Sequence, residues 1–104
     1  MSDAHRQVLA GYLAVLARAP LSAETVRTYT SKVRQYLAWL AIAEPDGDPL
    51  AQAQAQAQAR DWAVRDYRSH LLGNLKRKPA TINNALAAID DFYTRLGLGP
   101  ANAA

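Results

Sequence analysis

The sequence predicts an all-α protein, a compact four-helix bundle, on three observations. Apolar residues recur at three- and four-residue spacing in four separate segments. Val, Ile and aromatic residues never alternate over a strand-length run, while the helix formers Ala and Leu abound. Stretches rich in Pro, Gly and acids punctuate the chain. Helices that each carry one apolar face bury it against one another, and four of them suffice for a bundle.

The first helix is expected over about 5–18, where Val8, Leu9, Tyr12, Leu13, Val15 and Leu16 keep helical spacing. APLSAE breaks it, because Pro20 stops one helix and Ser22 can cap the next. The second helix, about 23–42, is the clearest. Val26, Tyr29, Val33, Tyr36, Leu37 and Leu40 form its apolar stripe. Arg27, Ser31 and Arg34 stand at i, i+4 and i+7 on another face, flanked by Thr28 and Lys32. The helix therefore has a core side and a cationic, hydroxyl-bearing side.

EPDGDPL, residues 44–50, has loop chemistry. AQAQAQAQAR, residues 51–60, is of low complexity and alternates like a strand. Ala and Gln favour helix over strand, so it reads as a frayed helical lead-in, with a disordered linker as the alternative. Val64, Tyr67, Leu71 and Leu72 define a third helix over about 61–72, which Gly73 can terminate. The last helix starts near Pro79, a residue favoured in a first turn. Its inward stripe is Ile82, Leu86, Ile89, Phe92, Tyr93 and Leu96, and Gly97 and Gly99 end it. The tail after Pro100 reads as linker, so one domain is expected over 1–100 and the start of a linker over 101–104.

At 104 residues the chain can bury one core. It has no cysteine, hence no disulfide framework and no thiolate metal site. His5 and His70 are far apart without neighbouring ligands, and each reads as a surface histidine. No apolar run reaches the ~20 residues a membrane span needs, and the N-terminus lacks a signal-peptide layout. The expected location is cytoplasmic, away from any membrane. Catalysis is not expected either. No nucleophile has an adjacent base, Asp90 and Asp91 point about 100° apart on a helix, and no glycine-rich phosphate loop exists. No cofactor is called for.

The formal charge of +3, from 12 Lys+Arg against 9 Asp+Glu, is modest, but it is segregated. Arg27, Lys32 and Arg34 lie in 25–42 without an acid, and Lys76, Arg77 and Lys78 crowd the end of 60–78. Glu44, Asp46 and Asp48 hold the segment between them negative. Separation of this kind suits a polyanion, and it equally suits a solvated helix face. In NLKRKPATINNAL, residues 74–86, the three cations run directly into Thr81, Asn83 and Asn84 in the first turn of a helix. Cations there can hold phosphate, and Asn can pair bidentately with adenine.

Two segments resemble a known family. AETVRTYTSKVRQYLAWL, with Thr25, Tyr29 and its Trp39-Leu40 ending, resembles the second helix of the core-binding domain of tyrosine recombinases, the phage integrases. KRKPATINNALAAIDDFYTRLGL resembles that domain's last helix, with Thr81, Leu86, Ala88, Ile89, Phe92 and Tyr93 at the usual positions. VRDYRSHLL resembles the helix between them, so the likeness covers about residues 5–100. It implies a SAM-like four-helix domain that clamps double-stranded DNA through its second and fourth helices, opposite a separate catalytic domain of the same parent chain. That domain would supply an arginine, a lysine, a His-x-x-Arg motif and the tyrosine nucleophile. None of these is expected in this chain, which looks like the non-catalytic half of a recombinase. The other partners implied are recombinase protomers assembled on DNA, the isolated domain being monomeric.

Carried over by position, the DNA contacts would be Arg27, Thr28, Ser31, Lys32 and Arg34 on the second helix. Around the start of the fourth they would be Lys76, Arg77, Lys78, Thr81, Asn83 and Asn84. Family members often place basic residues near Asn84 and where Asp90 and Asp91 stand here, so only the first turn of that helix is expected to approach DNA. The competing reading is a helical protein-interaction module whose basic face meets an acidic partner.

Overall fold

The computed structural model describes residues 3–44, 47–48, 50–51 and 57–99. Among them stand four α-helices and no strand: α1 (Asp3–Leu16), α2 (Ala23–Ala43), α3 (Ala57–Ser69) and α4 (Pro79–Arg95). The Ala-Gln repeat falls largely on 52–56 and the tail on 100–104, outside the described residues; from Ala57 the chain is helical. A radius of gyration of 12.8 Å matches the ~13 Å of a closed 100-residue globule.

Helix ends follow local chemistry. Ser22 caps α2 by accepting from the Thr25 N–H at 3.1 Å. Asp48 Oδ1 accepts from the N–H groups of Leu50 and Ala51, both at 3.0 Å, turning the acidic loop back into helix. Pro79 opens α4. Beyond α4, Gly97 takes φ +87, its N–H reaches Thr94 O and the Leu98 N–H reaches Tyr93 O. This paired closure needs a left-handed residue, which glycine adopts without a Cβ clash. Leu98 folds back onto the core, and the Arg60 guanidinium donates to its carbonyl, tying α3 to the chain beyond α4.

The core takes one stripe from each helix: Leu9, Tyr12 and Leu16; Val33, Tyr36, Leu37 and Leu40; Val64 and Tyr67; and Ile82, Ala85, Ala88, Ile89, Phe92 and Tyr93. The most extensive packing is α2 against α4. Small Ala85 and Ala88 on the buried face of α4 let two helix backbones approach closely. Aromatic rings fill the centre edge-to-face: Tyr12 with Phe92 at 5.3 Å and 79°, Tyr36 with Tyr67 at 5.1 Å and 63°. The rings' negative faces and positive edges favour that geometry.

Three expectations change. Helix α1 runs from Asp3, and His5 stands on its inward row His5–Leu9–Tyr12–Leu16. His5 is 1 % exposed, a core residue and not a surface one. Val15 and Leu72, counted with the apolar stripes, are 40 % and 54 % exposed. Gly73 does not terminate the third helix. The chain widens into a π-helical turn, His70–Asn74, in which the Leu75 N–H bonds His70 O at 3.0 Å. The left-handed residue comes later, at Lys76 with φ 51.

Burial lowers the His5 pKa, with Asp48 and Glu44 pulling the other way. The folded state thus prefers the neutral ring. Its stabilisation is complete above the unfolded value near 6.5 and is lost as pH falls below that toward the lowered folded value. Urea midpoints should therefore drop as pH falls below about 6.5. In a His5→Leu variant that part of the drop should vanish; an unchanged pH profile would contradict a buried neutral His5.

Candidate functional site

The cationic face of α2 is built by its register. Once Val33, Tyr36, Leu37 and Leu40 are buried, the row Arg27, Ser31, Arg34 faces outward with Thr28. All four are exposed, while Lys32 is half-buried at the edge of the row. Ser31 Oγ accepts from Gln35 Nε2 at 3.1 Å, which leaves the hydroxyl proton free to donate outward. Gln35, which the charge pattern does not single out, extends the exposed polar face by one turn.

The second group sits on a held turn. Lys76, Arg77 and Lys78 are all exposed. Their backbone is fixed by Leu75 N–H to His70 O and by Arg77 N–H to Leu71 O at 2.9 Å. Arg77 stands close enough for its cation to act on the Tyr67 hydroxyl, opposing the upward push of burial. Lys78 is the N-cap of α4, in extended conformation with no side-chain cap bond. The first-turn N–H groups of α4 therefore have no side chain from Lys78 satisfying them, and they carry the positive end of the helix dipole. Thr81 is half-buried there, and Asn83 and Asn84 are exposed.

The ion pairs Arg60–Asp61 (3.8 Å) and Arg95–Asp91 (2.9 Å) use neither group. Among the described residues, no hydrogen bond or ion pair joins the α2 set to the α4 set. The two are related through the packing of their helices. Asp91 ties helices together: its carboxylate accepts from the buried Tyr12 hydroxyl at 2.6 Å and from Arg95 Nε at 2.9 Å. Its charge is thus matched by a neighbouring guanidinium and turned toward α1.

His70 also departs from its expected role as a plain surface histidine. It is half-buried, 6.0 Å from the Trp39 ring and 6.2 Å from Tyr67, with Asn74 Nδ2 3.0 Å from its Nδ1. The four-residue spacing of His70 and Asn74 is the sequence signal for that pair.

Acid–base or nucleophilic chemistry has little to work with in the core. Burial pushes the hydroxyls of Tyr12, Tyr36 and Tyr67 up, and that of Tyr93 to about 12. Tyr36 and Tyr93 hydrogen-bond each other at 2.7 Å. Among the described residues no three metal-ligating side chains converge, and no helix is long and apolar enough to cross a membrane. The surface offers two fixed cationic, hydroxyl- and amide-bearing elements, an arrangement that can neutralise phosphates and present donors to base edges.

In comparisons with known proteins, the family described as "Phage integrase, N-terminal SAM-like domain" matches residues 9–97. No curated protein and no solved structure matches the chain.

Proposed function

Because the chain belongs to the N-terminal SAM-like domains of phage integrases, we propose that it binds double-stranded DNA as the clamp half of a site-specific tyrosine recombinase. The observation that carries this reading is the held turn 75–78, which sets three exposed cations at the start of α4, a helix whose N-cap residue makes no side-chain cap bond. Such a corner combines point charges with free N–H donors and the helix dipole, all of which favour phosphate. The row Arg27, Ser31, Arg34, with Thr28 and Lys32, forms the second contact line. Asn83 and Asn84, exposed one turn into α4, are the residues able to read a base edge. Strand cleavage and rejoining belong to a separate catalytic domain of the parent chain, since the tyrosines of this core are buried and held protonated. On recombination-site DNA the partners are further protomers of the same recombinase.

Anisotropy of a labelled duplex titrated with protein at several salt concentrations tests the reading. Arg27→Ala and Lys78→Ala should each weaken binding to all sequences alike and reduce the slope of log affinity against log salt by ~0.9. Asn84→Ala should instead change the preference among sequences. Absence of binding at low salt and high protein concentration would reject the DNA reading. Capture of an acidic protein by the same Arg27 and Lys78 surface would then favour an interaction module.

A further inference from the structure

The corner that carries the cations contains one more group oriented toward solvent. His70 lies in the first position of the π-helical turn, and its main-chain oxygen accepts from Leu75, the residue before the three cations. Its ring is clasped on the inner side by aromatic surfaces, inclined 28° to Tyr67 and 30° to Trp39. Both are anchored in turn: Tyr67 is 3 % exposed, and Trp39 stacks on the buried Tyr36 at 6.3 Å and 22°. A side chain so packed keeps one rotamer.

The protonation pattern of the ring follows from its neighbour. An amide nitrogen only donates, so Asn74 Nδ2 at 3.0 Å makes Nδ1 the acceptor. The proton of the neutral imidazole must then sit on Nε2. Nε2 makes no hydrogen bond among the described residues and is not sealed from solvent. The i→i+5 closure at His70 O leads the chain from this residue directly into the Lys76–Lys78 corner.

We infer that His70 is a phosphate-contacting residue, its Nε2–H held by Asn74 and by the Tyr67–Trp39 clasp to donate to a DNA phosphodiester oxygen beside the Lys76–Lys78 turn. The inference rests on the DNA-binding reading and adds to it a ring N–H donor. A hydrogen bond to a charged oxygen strengthens binding.

Removing and restoring that donor gives the test. Binding of a labelled random-sequence duplex to the full chain is measured by anisotropy across a salt series. His70→Phe retains a ring for the clasp and lacks the donor, and it should bind on the order of tenfold more weakly at every salt concentration. Lys78→Ala, the control for a phosphate-contacting cation, should lose ~0.9 of the log–log slope. His70→Gln sets an amide N–H near the position of Nε2 and should recover most of the affinity, while His70→Asn, whose amide lies near Nδ1, should not. Thermal unfolding followed by circular dichroism identifies any variant weakened by misfolding, and the Gln-against-Asn contrast decides the matter if His70→Phe is one. Equal affinity of the Phe, Asn and unmodified proteins, with Lys78→Ala still impaired, would overturn the role of His70 and leave DNA binding standing. No binding by the unmodified chain would overturn both.

Discussion

Replacing Tyr36 with Ala should remove a large share of the domain's stability. Tyr36 is fully buried and touches α3, α4 and its own helix at once, through Tyr67, Tyr93 and Trp39. Truncating a buried aromatic of this size costs about 3–5 kcal/mol, against a total of about 5–15 kcal/mol for a small domain. At roughly 4–8 °C per kcal/mol for about 100 residues, the melting temperature should fall by at least ~12 °C. Tyr36→Phe isolates the polar part. It keeps the ring contacts and leaves the Tyr93 hydroxyl, 1 % exposed, without its 2.7 Å partner. A loss of about 1–3 kcal/mol is expected for an orphaned buried hydroxyl. Urea denaturation followed by far-ultraviolet circular dichroism reads both, and a Tyr36→Ala protein as stable as the Phe variant would contradict this packing.

The second large effect is expected at Asp91. Were this acid only a surface charge on α4, Asp91→Ala would leave stability alone. In the structure it joins α1 to α4, accepting from the fully buried Tyr12 hydroxyl and from Arg95. Its removal should cost about 2–3 kcal/mol, the range for a hydrogen bond to a charged group whose buried partner is left behind. A double-mutant cycle assigns the cost. With Tyr12→Phe already in place, Asp91→Ala should be milder by about 1 kcal/mol or more, because the hydroxyl it would strand is gone. Strict additivity would show that the Tyr12–Asp91 bond is energetically idle. Duplex affinity should follow the folded fraction and should not rise, since the Asp91 charge is already matched by Arg95.

These two residues show where the sequence is readable and where it is not. Tyr36 announces itself: it continues the row Val26, Tyr29, Val33, and only a buried helix face explains that spacing. Asp91 announces nothing, because its partner Tyr12 is 79 positions away and a contact at that separation leaves no local pattern. His5 misleads for a related reason. One histidine beside a polar start looks like surface until its row, His5–Leu9–Tyr12–Leu16, is seen to face the core. The exit of α3 misleads because a glycine at a helix end is a strong local signal. Here the helix widens instead, and the left-handed residue becomes Lys76.

The candidate site divides along the same line. Arg27, Ser31 and Arg34 fall on one face from spacing alone, since a helix rotates by about 100° per residue wherever it sits. Likewise the run Lys76–Lys78 before Pro79 needs only the rule that proline favours a first turn. The bonds that hold that run as a turn are a π-helical one accepted by His70 O and a six-residue one accepted by Leu71 O, and no sequence rule anticipates them.

The sequence by itself determined the four helices, their apolar faces, the Ser22 cap, the glycine closure after α4 and the family, because each depends on residues within a turn or two of one another. Only the tertiary structure decided that His5 is core, that Asp91 binds Tyr12 instead of facing outward, and that His70 is clasped against Trp39 and Tyr67. Those outcomes depend on which faces of different helices meet. Such meetings are fixed by burying the whole apolar surface at once, a property of the assembled chain and of no single segment.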